Sequence, residues 1–342
     1  MRVLLTGSQG YIGSVLLPIL KKKYNVHGLD IGYYDKNSFY SNTQEISSIK
    51  KDIRDLTLKD IQDFDVIIHL AGLSNDPLGE FSPRLTKEIN YEATINLAKL
   101  SKKAKISRFI FSSSQSMYGV SNTADELDED YSEKKPVTQY AKSKWDAEKF
   151  ILDLNDDNFC VTCFRPSTVF GVSKRLRCDV VFNNLVACAY TTGKIEIKSD
   201  GSPWRPIVHV QDVCSALIAG IEAPKSIISK KSYNVGIRNG NYTIKDLAKA
   251  AQKTVPGSKL IFTNEHNDPR TYKVSFKKIL NELKDFYKPQ WDLEKGGLEL
   301  VNFFKKINFT EKDFRSRNTI RLEQLLYLKS KNQIDDNLRF YK

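Results

Sequence analysis

A tyrosine followed four residues later by a lysine, Tyr140 and Lys144, is the pair in this chain with the plainest chemical use. On a helix the two share a face, one turn apart. A free phenol has a pKa near ~10, too high for an efficient base at neutral pH, and a neighbouring ammonium favours the phenolate. Such a pair suits removal of a proton from a hydroxyl whose carbon gives up hydride. The spacing alone is common here: Tyr131/Lys135, Tyr190/Lys194 and Tyr327/Lys331 repeat it. Context selects Tyr140. It alone follows a Ser-rich strand end, Phe109-Ile110-Phe111-Ser112-Ser113-Ser114.

A second constellation lies at the N-terminus, Thr6-Gly7-Ser8-Gln9-Gly10-Tyr11-Ile12-Gly13. Gly7 allows a tight turn, Gly10 lets a pyrophosphate approach the backbone, and Gly13 lets helix pack close on strand. The helix start at Tyr11, Ile12 and Gly13 offers N–H donors and partial positive charge to that anion. Asp30 ends the next strand pattern. A carboxylate there accepts both hydroxyls of an adenosine ribose and repels a 2′-phosphate, which favours NAD over NADP. Asp52 and Ile53, in Asp52-Ile53-Arg54-Asp55, follow a further strand where a side chain meets the adenine ring. Leu70, Ala71 and Gly72, after His69, allow close cofactor approach.

These groups need a frame. Candidate strands at 2–6, 25–30, 45–50, 65–70, 107–112 and 159–165 are short and rich in Val, Ile, Leu or Phe, as strands buried on both faces should be. Helical patterns at 11–23, 83–104 and 136–155 lie between them, with Leu85, Ile89, Ala93, Leu97 and Leu100 at helical spacing. The alternation predicts an α/β fold, a Rossmann-type doubly wound parallel sheet. After Arg165 the rhythm changes. Helices at 179–192, 211–222, 243–254, 291–306 and 318–329 mix with strands near 195–197, 207–210, 232–235 and 259–262, which predicts a smaller C-terminal α+β lobe. The division expected is 1–166, with returning segments about 206–239, as the NAD-binding domain, and 167–205 with 240–342 as the substrate lobe.

The 342 residues suffice for one large domain or two closely joined ones, and 40% hydrophobic with 27% charged residues is a soluble, globular balance. No apolar run reaches the ~20 residues of a membrane span. The first strand begins at Arg2 and leaves no room for a signal peptide, so the expected location is cytoplasmic. The net charge is +12, but the lysines are scattered over different elements with no nucleic-acid signature, so a solvated surface biased towards small anions is expected rather than nucleic-acid binding. Cys160 and Cys163 match C-x-x-C within a strand pattern. Three residues apart on a strand they face opposite ways, so all five cysteines read as core thiols rather than redox or zinc ligands.

Taken in order, Thr6–Gly13, Asp52–Asp55, His69–Gly72, Ser112–Gly119, Tyr140–Lys144, Arg165–Gly171, Trp204–Asp212, Tyr233–Gly236 and Asp268–Tyr272 resemble the motifs of extended short-chain dehydrogenases/reductases of the sugar-nucleotide epimerase/dehydratase family. The resemblance spans most of the chain. It implies Tyr140 as base, Lys144 as its tuner and a holder of the nicotinamide ribose, and Ser114 as a hydrogen-bond partner of the reacting oxygen. It implies a nucleoside-diphosphate sugar as substrate, with Arg205 and Arg270 gripping the diphosphate. Thr168 stands where many members carry Asn; Asn183, with Asn184, is a candidate substitute. Ser74, Asn75 and Asp76 are placed to meet the hexose, and His209 and Asp212 to organise the lobe boundary. It also implies a homodimer through helices 83–104 and 136–155.

Gln115 and Ser116 separate reactions within the family. Similar 4,6-dehydratases carry Asp-Glu there, decarboxylases a Glu and 3,5-epimerases a Cys at position 116. Gln and Ser transfer protons less readily than any of these. The expectation is a 4-epimerase, with a net dehydrogenase or reductase as the alternative, and a redox-sensing binding protein on the same fold as a third reading that the intact Ser/Tyr/Lys set disfavours.

Overall fold

The computed structural model describes residues 1–39, 48–263 and 271–341. Its strands are β1 (Arg2–Thr6), β2 (Asn25–Asp30), β3 (Ser48–Lys50), β4 (Val66–His69), β5 (Arg108–Ser112), β6 (Cys160–Pro166), β7 (Thr168–Phe170), β8 (Lys194–Ile197), β9 (Trp204–His209), β10 (Lys231–Val235), β11 (Asn241–Thr243) and β12 (Lys259–Phe262). The helices of the first half are α1 (Gly13–Leu20), α2 (Leu58–Ile61), α3 (Asp76–Phe81), α4 (Pro83–Lys87), α5 (Ala93–Lys103) and α6 (Gln139–Asp153). Those of the second half are α7 (Val181–Thr192), α8 (Val210–Glu222), α9 (Lys225–Ile228), α10 (Ile244–Thr254), α11 (Lys277–Glu282), α12 (Leu293–Lys306), α13 (Glu311–Phe314) and α14 (Arg321–Ser330).

Seven strands form one parallel sheet in the order β3-β2-β1-β4-β5-β6-β10. Strand order reverses between β1 and β4, and in such sheets the crevice beyond the strand ends at the reversal receives the ligand. The strands are apolar on both sides because helices cover both. Val3 and Leu5 join Leu16, Leu17 and Leu217 in one core layer; Leu4 joins Leu29, Leu97 and Phe109 in the other. Cys160 lies in the first layer and Cys163 in the second, and all five thiols are buried and free.

The helical pattern expected over 83–104 is α4 and α5 joined by a wider π turn at Glu88–Glu92. Within that turn Asn90 bonds both backbone groups of Leu73, with Oδ1 accepting from its N–H at 2.8 Å and Nδ2 donating to its carbonyl at 2.9 Å. The strand pattern at 45–50 begins at Ser48; residues 45–47 lie outside the described residues.

The second lobe has a three-stranded sheet, β11-β9-β7, and a parallel pair, β12-β8. Its own core gathers Phe182, Val186, Ile207, Leu247, Leu300 and Phe304. Two parts of 240–342 pack elsewhere. Tyr272, Val274, Phe276 and Ile279 join the first layer of the large sheet, and Leu325, Leu328, Ile334 and Leu338 join the second. The C-terminal stretch is held at the β2 side by Tyr33, whose hydroxyl donates to the Leu338 carbonyl, and by an ion pair between Arg339 and Asp55. The reason is composition: after α13 the apolar residues of α14 and the tail cover Tyr33 and Leu85 rather than the small lobe. Among the described residues no helix is long and apolar enough to cross a membrane.

Candidate active site

A cavity of about 720 Å³ opens over the ends of β1, β4 and β5. Gly7, Gly10, Tyr11, Ile12, Gly13, Asp30, Asp52, Ile53, Leu70, Ala71 and Gly72 line one side, and Ser114, Tyr140 and Lys144 stand further along it. The turn after β1 is closed by the Gly10 N–H donating to the Gly7 carbonyl at 3.0 Å. A Cβ at Gly13 would lie 2.1 Å from that carbonyl, so the helix can approach the turn only with glycine there. Asp30 is half-buried, and its two oxygens accept from the N–H groups of Gln9 and Gly32, each at 2.9 Å. Burial nevertheless pushes its carboxyl above the usual range.

Tyr140 is set by α6. Thr138 caps that helix, its hydroxyl accepting from the Ala141 N–H at 3.2 Å and donating to Asp76 Oδ1 at 2.6 Å. Glu148, further along α6, is buried against Arg165 of β6, with Oε1 2.6 Å from Nη2, and also accepts from the Ser232 hydroxyl at 2.6 Å. This buried pair fixes the helix to the sheet behind the cavity. Lys144 Nζ donates to the Ser112 carbonyl at 2.8 Å and lies 4.6 Å from the Phe111 ring centroid. Burial lowers its pKa to about 8. Burial pushes the Tyr140 phenol above 10.0; a Ser114 hydrogen bond lowers it, Asp76 adds to the rise and Arg177 lowers it. The Lys144 ammonium is turned to the Ser112 carbonyl, and Arg177 also lowers the Tyr140 phenol. Tyr131 is exposed, Tyr190 packs on Phe304 and Tyr327 sits under Arg317, so none of the look-alike pairs reaches the cavity.

Ser114 heads a 3-10 turn, accepting from the Ser116 N–H and donating to the Ser116 hydroxyl, each at 3.1 Å. Ser74, Asn75, Ser116, Thr168 and Arg205 also line the cavity. Gln115 does so with its amide engaged elsewhere: Nε2 donates to the Arg165 carbonyl at 2.9 Å and Oε1 accepts from Ser167 at 3.1 Å. Asn183 is corrected outright. It is buried behind the wall, where Oδ1 accepts from the Gly171 N–H at 2.9 Å and Nδ2 donates to the Arg177 carbonyl at 2.8 Å and to the Tyr11 hydroxyl at 3.1 Å. Its neighbour Asn184 faces the cavity instead. Arg270 lies outside the described residues. His69 is a structural residue: Thr6 and Thr94 hold its two ring nitrogens at 2.7 and 2.8 Å, and burial lowers its pKa to about 3, so it stays neutral.

Sequence reasoning passed over Arg177, Asp179 and Arg321; Asp76, read with Ser74 and Asn75, does line the cavity. Arg177 pairs with Asp179 through Nε–Oδ1 at 2.8 Å and Nη2–Oδ2 at 3.1 Å, and both line the cavity. The signal was present as two arginines and an aspartate among apolar residues at Arg175-Leu176-Arg177-Cys178-Asp179.

A parallel sheet with a glycine turn at its reversal point, and a Ser/Tyr/Lys set across the same crevice, defines a nucleotide-dependent enzyme of the dehydrogenase type. The chain belongs to the NAD dependent epimerase/dehydratase family, which it matches over residues 3–236, and NAD is its cofactor. UDP-glucuronic acid decarboxylase 4 of Arabidopsis thaliana is 25% identical over 329 residues, covering 93% of this chain and 72% of its own. UDP-glucose 4-epimerase of Bacillus subtilis strain 168 is 26% identical over 286 residues, covering 74% and 82%. A solved NAD-dependent NDP-hexosamine 5,6-dehydratase involved in tunicamycin biosynthesis has a TM-score of 0.76 at 19% identity, over 90% of this chain and 100% of that one, a likeness of fold. The residues present fit the cofactor: a glycine turn that tolerates no Cβ at Gly13, a half-buried acid at the end of β2, and a cavity continuous from there to Tyr140.

Proposed function

We propose that the protein is a sugar-nucleotide 4-epimerase, acting by transient oxidation at C4 of a nucleoside-diphosphate sugar. The observation that carries this reading lies at residues 115 and 116. The Gln115 amide is tied to Arg165 and Ser167, and Ser116 offers only a hydroxyl. Neither group moves protons at the sugar as a carboxyl does, which leaves hydride transfer as the chemistry served there. NAD, when bound, supplies hydride acceptance and return at the carbinol carbon. Tyr140 takes the hydroxyl proton and gives it back, Ser114 holds the reacting oxygen, and Lys144 holds the nicotinamide ribose. Arg205 grips the substrate diphosphate; Ser74, Asn75, Ser116 and Thr168 meet the sugar. In this reading residues 1–166 with 206–239 hold NAD, and the small lobe takes the sugar nucleotide. Two copies pair through α5 and α6, where Leu100 and Phe150 stay half-buried; sedimentation as a monomer alone at micromolar concentration would count against that pairing.

One observation favours a second reading, a dehydratase. Asp76 brings a carboxylate to the cavity close enough to Tyr140 to raise its pKa, from an element other than the 115–116 turn. Incubation with NAD and a panel of uridine, thymidine, cytidine and guanosine diphosphate hexoses separates the cases. Unchanged mass with altered ring stereochemistry supports the epimerase. Loss of two hydrogens with accumulating NADH points to a dehydrogenase, and loss of water to a dehydratase using Asp76.

A further inference from the structure

The C-terminal segment contributes a residue to the cavity. Arg321, the first residue of α14, is only 1% exposed and heads the fully buried side chains by volume. Its Nη2 donates to the Arg175 carbonyl at 2.6 Å, and its guanidinium lies 4.2 Å from the Tyr34 ring centroid. Its Nη1 has no hydrogen-bond partner. Burial, with Arg177 adding to it, lowers its pKa to about 10, which still leaves it charged at neutral pH. Arg321 and Arg177 both form part of the cavity wall, as do Tyr34 and Asp179.

Asp179 is the carboxylate that serves both cations. It pairs in bidentate fashion with Arg177, accepts from Asn75 Nδ2 at 3.1 Å, and takes from Arg321 the backbone N–H alone, at 3.4 Å. The wall therefore carries two guanidinium charges against one carboxylate. A buried guanidinium short of an acceptor is costly unless an anion completes it. Arginine forks match phosphate oxygens in geometry as well as charge. Tyr34 follows the end of β2 by four residues, which joins this wall to the Asp30 side of the cavity, while Arg177 Nη1 donates to the Ser74 hydroxyl at 3.4 Å.

We propose that Arg321, carried in by the C-terminal segment, and Arg177 grip a diphosphate, and that this is the diphosphate of the dinucleotide rather than that of the sugar nucleotide. The proposal rests on the NAD reading of the cavity. It makes α14 part of the cofactor site.

The test is titration calorimetry on the full chain and on Arg321→Gln and Arg321→Lys, with NAD, ADP-ribose, adenosine and UDP as probes. Loss of a charged hydrogen-bond donor is worth about 10- to 100-fold in affinity. Arg321→Gln should weaken NAD and ADP-ribose by that factor, Arg321→Lys by less, with adenosine and UDP unchanged. Undiminished NAD binding overturns the proposal, and so does equal weakening of adenosine, which marks a general loss of the pocket. Weakening of UDP alone moves the grip to the substrate's diphosphate and overturns the assignment to the dinucleotide. If the variants melt at the working temperature, hydrogen exchange on the wild-type chain decides: amides of 321–330 should slow with ADP-ribose and not with adenosine, and no difference overturns the proposal. A wild-type chain that binds no NAD at all would instead remove the cofactor reading beneath it.

Discussion

Tyr140 and Lys144 illustrate how a shared helix face becomes two different electrostatic situations. Lys144 is buried and Tyr140 half-buried, and desolvation disfavours whichever form is charged, so the phenol is pushed up and the ammonium down to about 8. Ser114 and Arg177 offset part of the rise at Tyr140. Replacing Tyr140 by Phe deletes the hydroxyl and keeps the ring. Turnover should fall by about 10²- to 10⁴-fold, the usual worth of a positioned acid–base group, with NAD affinity retained. Paired measurements of kcat and NAD dissociation check this. Near-normal turnover in Tyr140→Phe, with loss in Tyr327→Phe, would show that the wrong tyrosine was chosen.

At the scale of elements, α3 and α6 meet where Gly79 touches Tyr140. A Cβ at Gly79 would lie 2.8 Å from Tyr140 Cβ and 3.2 Å from its backbone nitrogen. Gly79→Ala should therefore move the start of α6 and lower kcat, by roughly 10²-fold for a displacement near 1 Å, while leaving NAD affinity little changed. A variant with wild-type kcat would show that α6 absorbs the methyl elsewhere. Behind the same helix, the Glu148–Arg165 pair is almost wholly out of water. Glu148→Ala leaves Arg165 buried without its carboxylate and should cost about 3–5 kcal/mol in denaturant unfolding. A loss below 1 kcal/mol would mean that water or another group replaces the carboxylate.

For the molecule as a whole, the loop before α6 is tied to the sheet edge by Glu129, whose Oε1 accepts from the Asn234 N–H of β10 at 2.7 Å. Burial nevertheless raises its carboxyl from 4.5 to about 7. Between these values the folded chain binds more protons than the unfolded one, so raising the pH through this window lowers stability. The fall attributable to Glu129 should be up to roughly 3 kcal/mol. Glu129→Gln should remove that slope, seen as a flatter dependence of melting temperature on pH from about 4.5 to 7. Parallel curves for the two proteins would refute the assignment.

The sequence by itself determined the parallel sheet, the glycine turn and the place of Tyr140 at the cavity, because each depends on local pattern: apolar strand runs, three glycines between strand and helix, and a serine-ended strand ahead of the tyrosine. It placed Asn183 wrongly, since periodicity cannot tell the cavity face of α7 from the face behind it. It missed Arg177 and Arg321, whose meeting joins parts of the chain far apart in sequence. Nor could it foresee that α14 packs on the large sheet rather than on the lobe that precedes it. Only the tertiary structure decided those points. Burial and charge are properties of what surrounds a residue, and at Arg321 the surroundings come from the loop after β2, the 175–179 loop and the C-terminal helix together.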